Sequence, residues 1–162
     1  MKRRQALKIS SIATIGLTAT VHGGCSKNNI LFNHGVASGD PLAERVILWT
    51  RVTPSKPGPV KVNLEISSDQ NFTSIAFTKV LRTSSLVDYT IKYDFFIRNI
   101  FKSGQTFFYR FNASGSISET GKTKTLAADV NKIKMGVFSC SNFPAGFFNA
   151  YQAAAEANDL DL

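Results

Sequence analysis

Val60-Lys-Val-Asn-Leu-Glu-Ile66 alternates apolar and polar residues without a break. A period of two puts Val60, Val62, Leu64 and Ile66 on one face of a strand and Lys61, Asn63 and Glu65 on the other, the pattern of a strand with one dry face and one wet one. Outward along the chain the pattern recurs. Tyr89, Ile91, Tyr93, Phe95 and Ile97 alternate with polar residues, and so do Phe107, Tyr109 and Phe111. Val46-Ile-Leu-Trp-Thr-Arg-Val52 is apolar on both sides, as a central strand would be. The runs from Ile75 to Leu81 and from Ile117 to Leu126 are more polar and read as edges. The prolines of the mature region fall between these runs, where no ladder N–H is required of them.

Turn signals separate the runs: Thr53-Pro-Ser-Lys-Pro-Gly58-Pro59, Ser67-Ser-Asp-Gln-Asn71, Lys102-Ser-Gly104 and Ser114-Gly115. Six or seven short strands at this spacing predict a β-sandwich of immunoglobulin or fibronectin type III kind over residues 31–127. Arg98-Asn-Ile100-Phe-Lys-Ser-Gly104-Gln-Thr106-Phe-Phe-Tyr109 resembles the fibronectin-type corner in which an apolar residue, a loop glycine and a following aromatic lock together. Thirteen phenylalanines supply enough aromatic area for such a core, and the lone tryptophan, Trp49, is expected inside it.

Residues 1–25 read differently. Lys2, Arg3, Arg4 and Lys8 come with no acidic residue and precede the mildly apolar run Ile9-Ser-Ser-Ile-Ala-Thr-Ile-Gly-Leu-Thr-Ala-Thr-Val21. That run is shorter than the roughly 18 residues a membrane span needs, so the segment reads as a signal peptide. Arg3-Arg4-Gln-Ala-Leu-Lys8 resembles a twin-arginine export signal, which implies a periplasmic or cell-surface location and export of an already folded protein. Cys25 follows Val21-His-Gly-Gly24, a lipoprotein-like cleavage site, and is a candidate for lipidation that would anchor the chain to a membrane. Setting the leader's four cations aside reduces the formal net charge of +8 to +4, spread singly along strands. With no basic run, sequence-directed nucleic-acid binding is not expected. Cys25 and Cys140 are the only cysteines, and their settings are too different for a disulfide to be expected.

Residues 132–162 change character again. Ile133-Lys-Met-Gly-Val-Phe-Ser-Cys140-Ser-Asn142 reads as a buried strand with a cysteine at its end, Pro144 to Glu156 as a helix, and Asp159-Leu-Asp-Leu162 as the opening of a second buried strand. A strand–helix–strand unit begun in this way is expected to be the front of a larger α/β domain.

Two motifs carry a family resemblance. His34-Gly-Val-Ala-Ser-Gly-Asp-Pro41 followed by Arg45-Val-Ile-Leu-Trp-Thr-Arg51 is one, and Phe138-Ser-Cys140-Ser-Asn142 followed by Gly146-Phe-Phe-Asn-Ala-Tyr151 is the other. Both resemble alkaline phosphatase D (PhoD-like) enzymes, in which a fibronectin-like domain precedes a metallophosphatase domain. The resemblance implies a phosphate monoester or diester hydrolase with an iron and calcium centre, in which the cysteine matching Cys140 is an iron ligand. A thiolate suits that role as a soft anionic donor. Asn142 would either cap the helix or orient a phosphate oxygen, and Asp40 reads as a turn former. His34, the only histidine outside the leader, reads as structural. The family's remaining ligands lie downstream of Leu162. The chain alone is therefore expected to be an inactive, monomeric portion that holds no metal stably, its phosphate ester substrate belonging to the full-length enzyme. The competing reading is a stand-alone secreted immunoglobulin-like binding module.

Overall fold

The computed structural model describes residues 28–129, 131–142, 144, 146–157 and 159–161. Ten strands run in the order β1 Ile30–Leu31, β2 Val36–Gly39, β3 Arg45–Arg51, β4 Thr53–Pro54, β5 Val60–Ser67, β6 Ile75–Thr83, β7 Thr90–Phe96, β8 Thr106–Ala113, β9 Ser116–Ile117 and β10 Gly121–Lys124. One helix, α1, spans Asn149–Ala157. The fold is mainly β, with a C-terminal helix.

All pairings among these strands are antiparallel. One sheet has the order β2-β3-β7, and a second has the order β10-β8-β5-β6, with β9 hydrogen-bonded to β8. The short pair β1–β4 closes one end. β2–β3 and β5–β6 are hairpins within one sheet, and the chain crosses between the sheets from β3 to β5, from β6 to β7 and from β7 to β8, giving a fibronectin-like sandwich. The alternation of β5 holds along its length: Val60, Val62, Leu64 and Ile66 are all buried. Phe107, Tyr109 and Phe111 of β8 answer them across the ladder, and Val46, Leu48, Ile91 and Phe95 face them from the other sheet. Each such side chain, fully buried, contributes about 1.5–3 kcal/mol of hydrophobic stabilisation. β6 and β10 are edges, as their polarity predicts.

Trp49 is not in the core. The residues of β3 that point inward are Val46, Leu48 and Thr50, so strict alternation turns Ile47 and Trp49 to the outer face, where both are half-buried. The size of the indole does not overcome a register already fixed by its neighbours. Thr50 takes the inward place between aliphatic neighbours because its hydroxyl donates to the Gly35 carbonyl at 2.9 Å.

The corner between β7 and β8 is locked as its sequence predicts. Phe101 stacks on Phe107 with centroids 4.9 Å apart, and Phe95 meets Phe107 edge-on at 5.4 Å, joining the two sheets. Gly104 has φ +75°, and a Cβ there would lie 2.8 Å from that of Ala127. Its N–H donates to Thr125 Oγ1 at 3.0 Å.

The tail departs from expectation. Residues 133–142 are extended, but no strand ladder includes them among the described residues, and Met135, Val137 and Phe138 are exposed. A buried strand needs hydrogen-bonded neighbours and two covered faces. The 159–161 stretch lies beside Lys134, where Asp161 N donates to the Lys134 carbonyl at 2.7 Å. The helix starts at Asn149, later than Pro144, because Gly146 has φ +134°.

Candidate functional site

Register defines two ends of the sandwich. Thr50 and Arg51, Val60, Thr83 and Thr90 mark one end, where the chain enters at Asn28. Gly39, Arg45, Ser67, Phe96 and Lys124 mark the other, where the tail leaves.

Cys140 lies on the tail. It is a free, exposed thiol lining a concavity of about 370 Å³ with Ser139, Ser141, Asn142, Phe148 and Tyr151. The Ser141 hydroxyl meets the Tyr151 hydroxyl, and the Tyr151 ring packs on Phe138 at 5.1 Å and Phe148 at 5.7 Å. The second motif therefore folds into one local unit that presents a thiol beside three hydroxyls and an amide. Among the described residues, no group of three histidine, cysteine or acidic side chains gathers there or elsewhere. A hard cation such as calcium takes six to eight oxygens, and an iron–calcium pair needs several anionic donors. One thiol with neutral neighbours does not fit such a centre by itself.

Asn142 does not cap the helix. Tyr151 N and Gln152 N donate to the Phe148 carbonyl, so the helix begins at Phe148–Asn149, well beyond Asn142. Asn142 faces the same concavity as Cys140 instead. The candidate lipidation residue Cys25 and the rest of the leader lie outside the described residues.

The first motif is structural. Asp40 has φ +47° ahead of Pro41, and Leu42 N closes the turn on the Arg45 carbonyl at 2.8 Å. His34 accepts at Nε2 from Arg51 Nη1, 2.5 Å away, because a guanidinium has no lone pair to offer. The same Arg51 grips Asp88 through two bonds of 3.0 and 2.8 Å, holding that carboxyl below its usual range.

The sequence does not single out the junction between sandwich and tail. Ser38 to Pro41, Thr106 and Lys122 to Lys124 face Ala154, Ala155, Leu160 and Asp161 across a cleft of about 440 Å³. Lys124 Nζ bonds Asp161 Oδ1 at 2.7 Å, and Lys134 N donates to Asp161 Oδ2 at 2.8 Å. These partners, Lys124 first, hold the Asp161 carboxyl below the ordinary range. Lys134 also pairs with Asp159.

The family model described as PhoD-like phosphatase, N-terminal domain, matches residues 18–127. Alkaline phosphatase D of Bacillus subtilis (strain 168) is 32% identical over 143 residues, covering 81% of this chain and 24% of its own length. That share is about 131 residues, more than the 110 residues of the family match. A solved structure titled "Structure of PhoD" superposes with a TM-score of 0.71 at 30% identity, covering 80% of this chain and 26% of that one. The chain thus spans about a quarter of the length of the curated relative it matches.

Proposed function

The chain belongs to the PhoD-like phosphatase N-terminal domain family, and from that premise we propose that it is the amino-terminal portion of an exported alkaline phosphatase of the D type. Its part in phosphate mono- and diester hydrolysis is to supply one metal donor, Cys140, on the strand–helix unit that follows a supporting sandwich. What supports this reading is the 32% identity to that relative over 81% of the chain, together with the family match over residues 18–127. A binding module has no need of a tail that presents Ser139-Cys-Ser-Asn142 in a formed concavity.

In this reading iron and calcium, when bound, would stabilise charge on the phosphate and activate the attacking oxygen. This chain's own residues hold the Cys140 thiol in the lining of the concavity together with the paired Ser141 and Tyr151 hydroxyls. The remaining donors would come from polypeptide corresponding to the unmatched three quarters of the relative. Export through the twin-arginine leader and lipidation at Cys25 belong to the same proposal, supported by the sequence of residues 1–25.

The test is a chimera. This chain is joined to the part of the Bacillus subtilis relative that follows the matched stretch, and aryl phosphate hydrolysis is followed with iron and calcium present. The chimera is expected to turn over and to lose at least about a hundredfold on Cys140→Ala, the scale of a lost catalytic contact. The chain without the appended part is expected to show no turnover above its own Cys140→Ala variant. Turnover by the chain alone, or an active chimera indifferent to Cys140, would overturn the proposal.

A further inference from the structure

The entry end of the sandwich carries a built feature that the phosphatase reading does not use. The segment from Ser84 to Tyr89 is closed on itself: Tyr89 N donates to the Ser84 carbonyl at 2.9 Å, Val87 N to the same carbonyl at 3.2 Å, and Thr90 Oγ1 to the Val87 carbonyl at 2.7 Å. Thr83 Oγ1 pins its base to the Thr90 carbonyl at 2.7 Å. Two successive non-glycine residues, Asp88 and Tyr89, hold left-handed backbone with φ +51° and +55°. That conformation is sterically costly for L-residues and persists only where the surroundings enforce it. Here Arg51 clamps both Asp88 oxygens, and Gly58 N donates to the Tyr89 hydroxyl at 3.3 Å.

What this rigid loop displays is apolar. Leu86 is 94% exposed and Val87 54%. Beside it, Lys61 and Arg82 stand directly opposite each other across β5 and β6, one pair in from Val60 and Thr83. Like charges so placed repel. Neither forms a salt bridge among the described residues. Glu65, further along the same face, is taken by Arg110 at 2.7 Å, and Asp88 by Arg51. The loop bearing Leu86 and the Lys61–Arg82 pair lie at the end where the chain enters, Asn29 N being fastened to Ser55 Oγ at 3.0 Å and Lys56 N to Asn28 Oδ1 at 3.1 Å.

We infer that this end of the sandwich docks on an anionic lipid surface, Leu86 and Val87 entering the headgroup layer while Lys61 and Arg82 meet lipid phosphates. Apolar side chains flanked by unpaired cations are the chemistry of an interfacial contact. An acyl chain on Cys25, three residues from Asn28, would be within on the order of 10 Å of chain length and would hold the same end down. The inference does not depend on the catalytic reading.

The test uses the full chain with Cys25→Ser and Cys140→Ser, carrying an environment-sensitive fluorophore on either Leu86→Cys or Asn71→Cys. Asn71 is exposed at the opposite end. With vesicles of phosphatidylcholine and phosphatidylglycerol, a blue shift is expected at position 86 and none at 71. Vesicles of phosphatidylcholine alone should bind at least about fivefold more weakly, as should the Lys61→Glu, Arg82→Glu chain. Unlabelled Leu86→Ser, Val87→Ser chain should co-sediment about tenfold less, with its unfolding midpoint unchanged because both side chains face water. Absence of vesicle binding would overturn the inference. So would equal shifts at both positions, which would mean that the leader alone brings the chain to lipid. A shift at 86 that grows with protein concentration without lipid would assign the surface to a second copy and would also overturn it.

Discussion

Gly121 sits where any side chain would strike the Tyr109 ring: an added Cβ would lie 2.3 Å from its Cζ. Tyr109 is buried, and burial pushes its phenol up to about 12 despite a bond to Ser38. The ring reaches across the sandwich and cannot swing aside. Gly121→Ala should therefore destabilise by about 1–3 kcal/mol, read as a lower denaturant midpoint with unchanged slope. Asp69 governs the neighbouring turn in a different way. Its carboxylate accepts from Thr73 N first, then from the Thr73 and Ser67 hydroxyls, and these bonds lower its pKa to about 2. A folded value below the unfolded one means that the carboxylate's contribution is complete above about pH 4 and is lost as pH falls towards 2. Asp69→Asn should flatten that part of the stability–pH curve, measured by denaturant titration between pH 5 and pH 2 (about the range its ordinary and lowered values span).

Among elements, β5 and β8 were fully legible, because a period of two fixes both register and face. Phe107→Ala, which empties a site 0% exposed and stacked on Phe101, should cost about 3–5 kcal/mol. Trp49→Ala should cost less than about half of that, since its ring is only half-covered on the outer face of β3. Reading the indole as core rested on residue type, whereas the alternation of Val46, Leu48 and Thr50 already assigned it outward. The helix was legible but its start was not, because a glycine with φ +134° is invisible to a reading of propensity. Cys140 was singled out by its motif, while the Lys124–Asp161 junction carries no such signal. An ion pair between residues 37 apart leaves no mark on either local pattern. Asp161→Asn should leave the sandwich's unfolding midpoint unchanged but hasten proteolysis within residues 131–142. The wild-type chain should show the same loosening only at acid pH, as protons reach a carboxylate whose pKa is depressed.

At the scale of the whole molecule, the candidate chemistry and the entry of the chain stand at opposite ends of one body. Cys140 and its concavity belong to the tail end, and Asn28, Arg51 and the loop bearing Leu86 belong to the other. The eight-residue strands β5 and β8 run between them. At about 3.3 Å per residue they set a height of roughly 26 Å. A packed aromatic core of Phe95, Phe101 and Phe107 braces that height and leaves little scope for bending. Whatever tethers residue 28 therefore fixes a minimum stand-off for the end where Asp161 meets Lys124, and lengthening or shortening the segment before residue 28 would change the reach of the molecule without altering that gap.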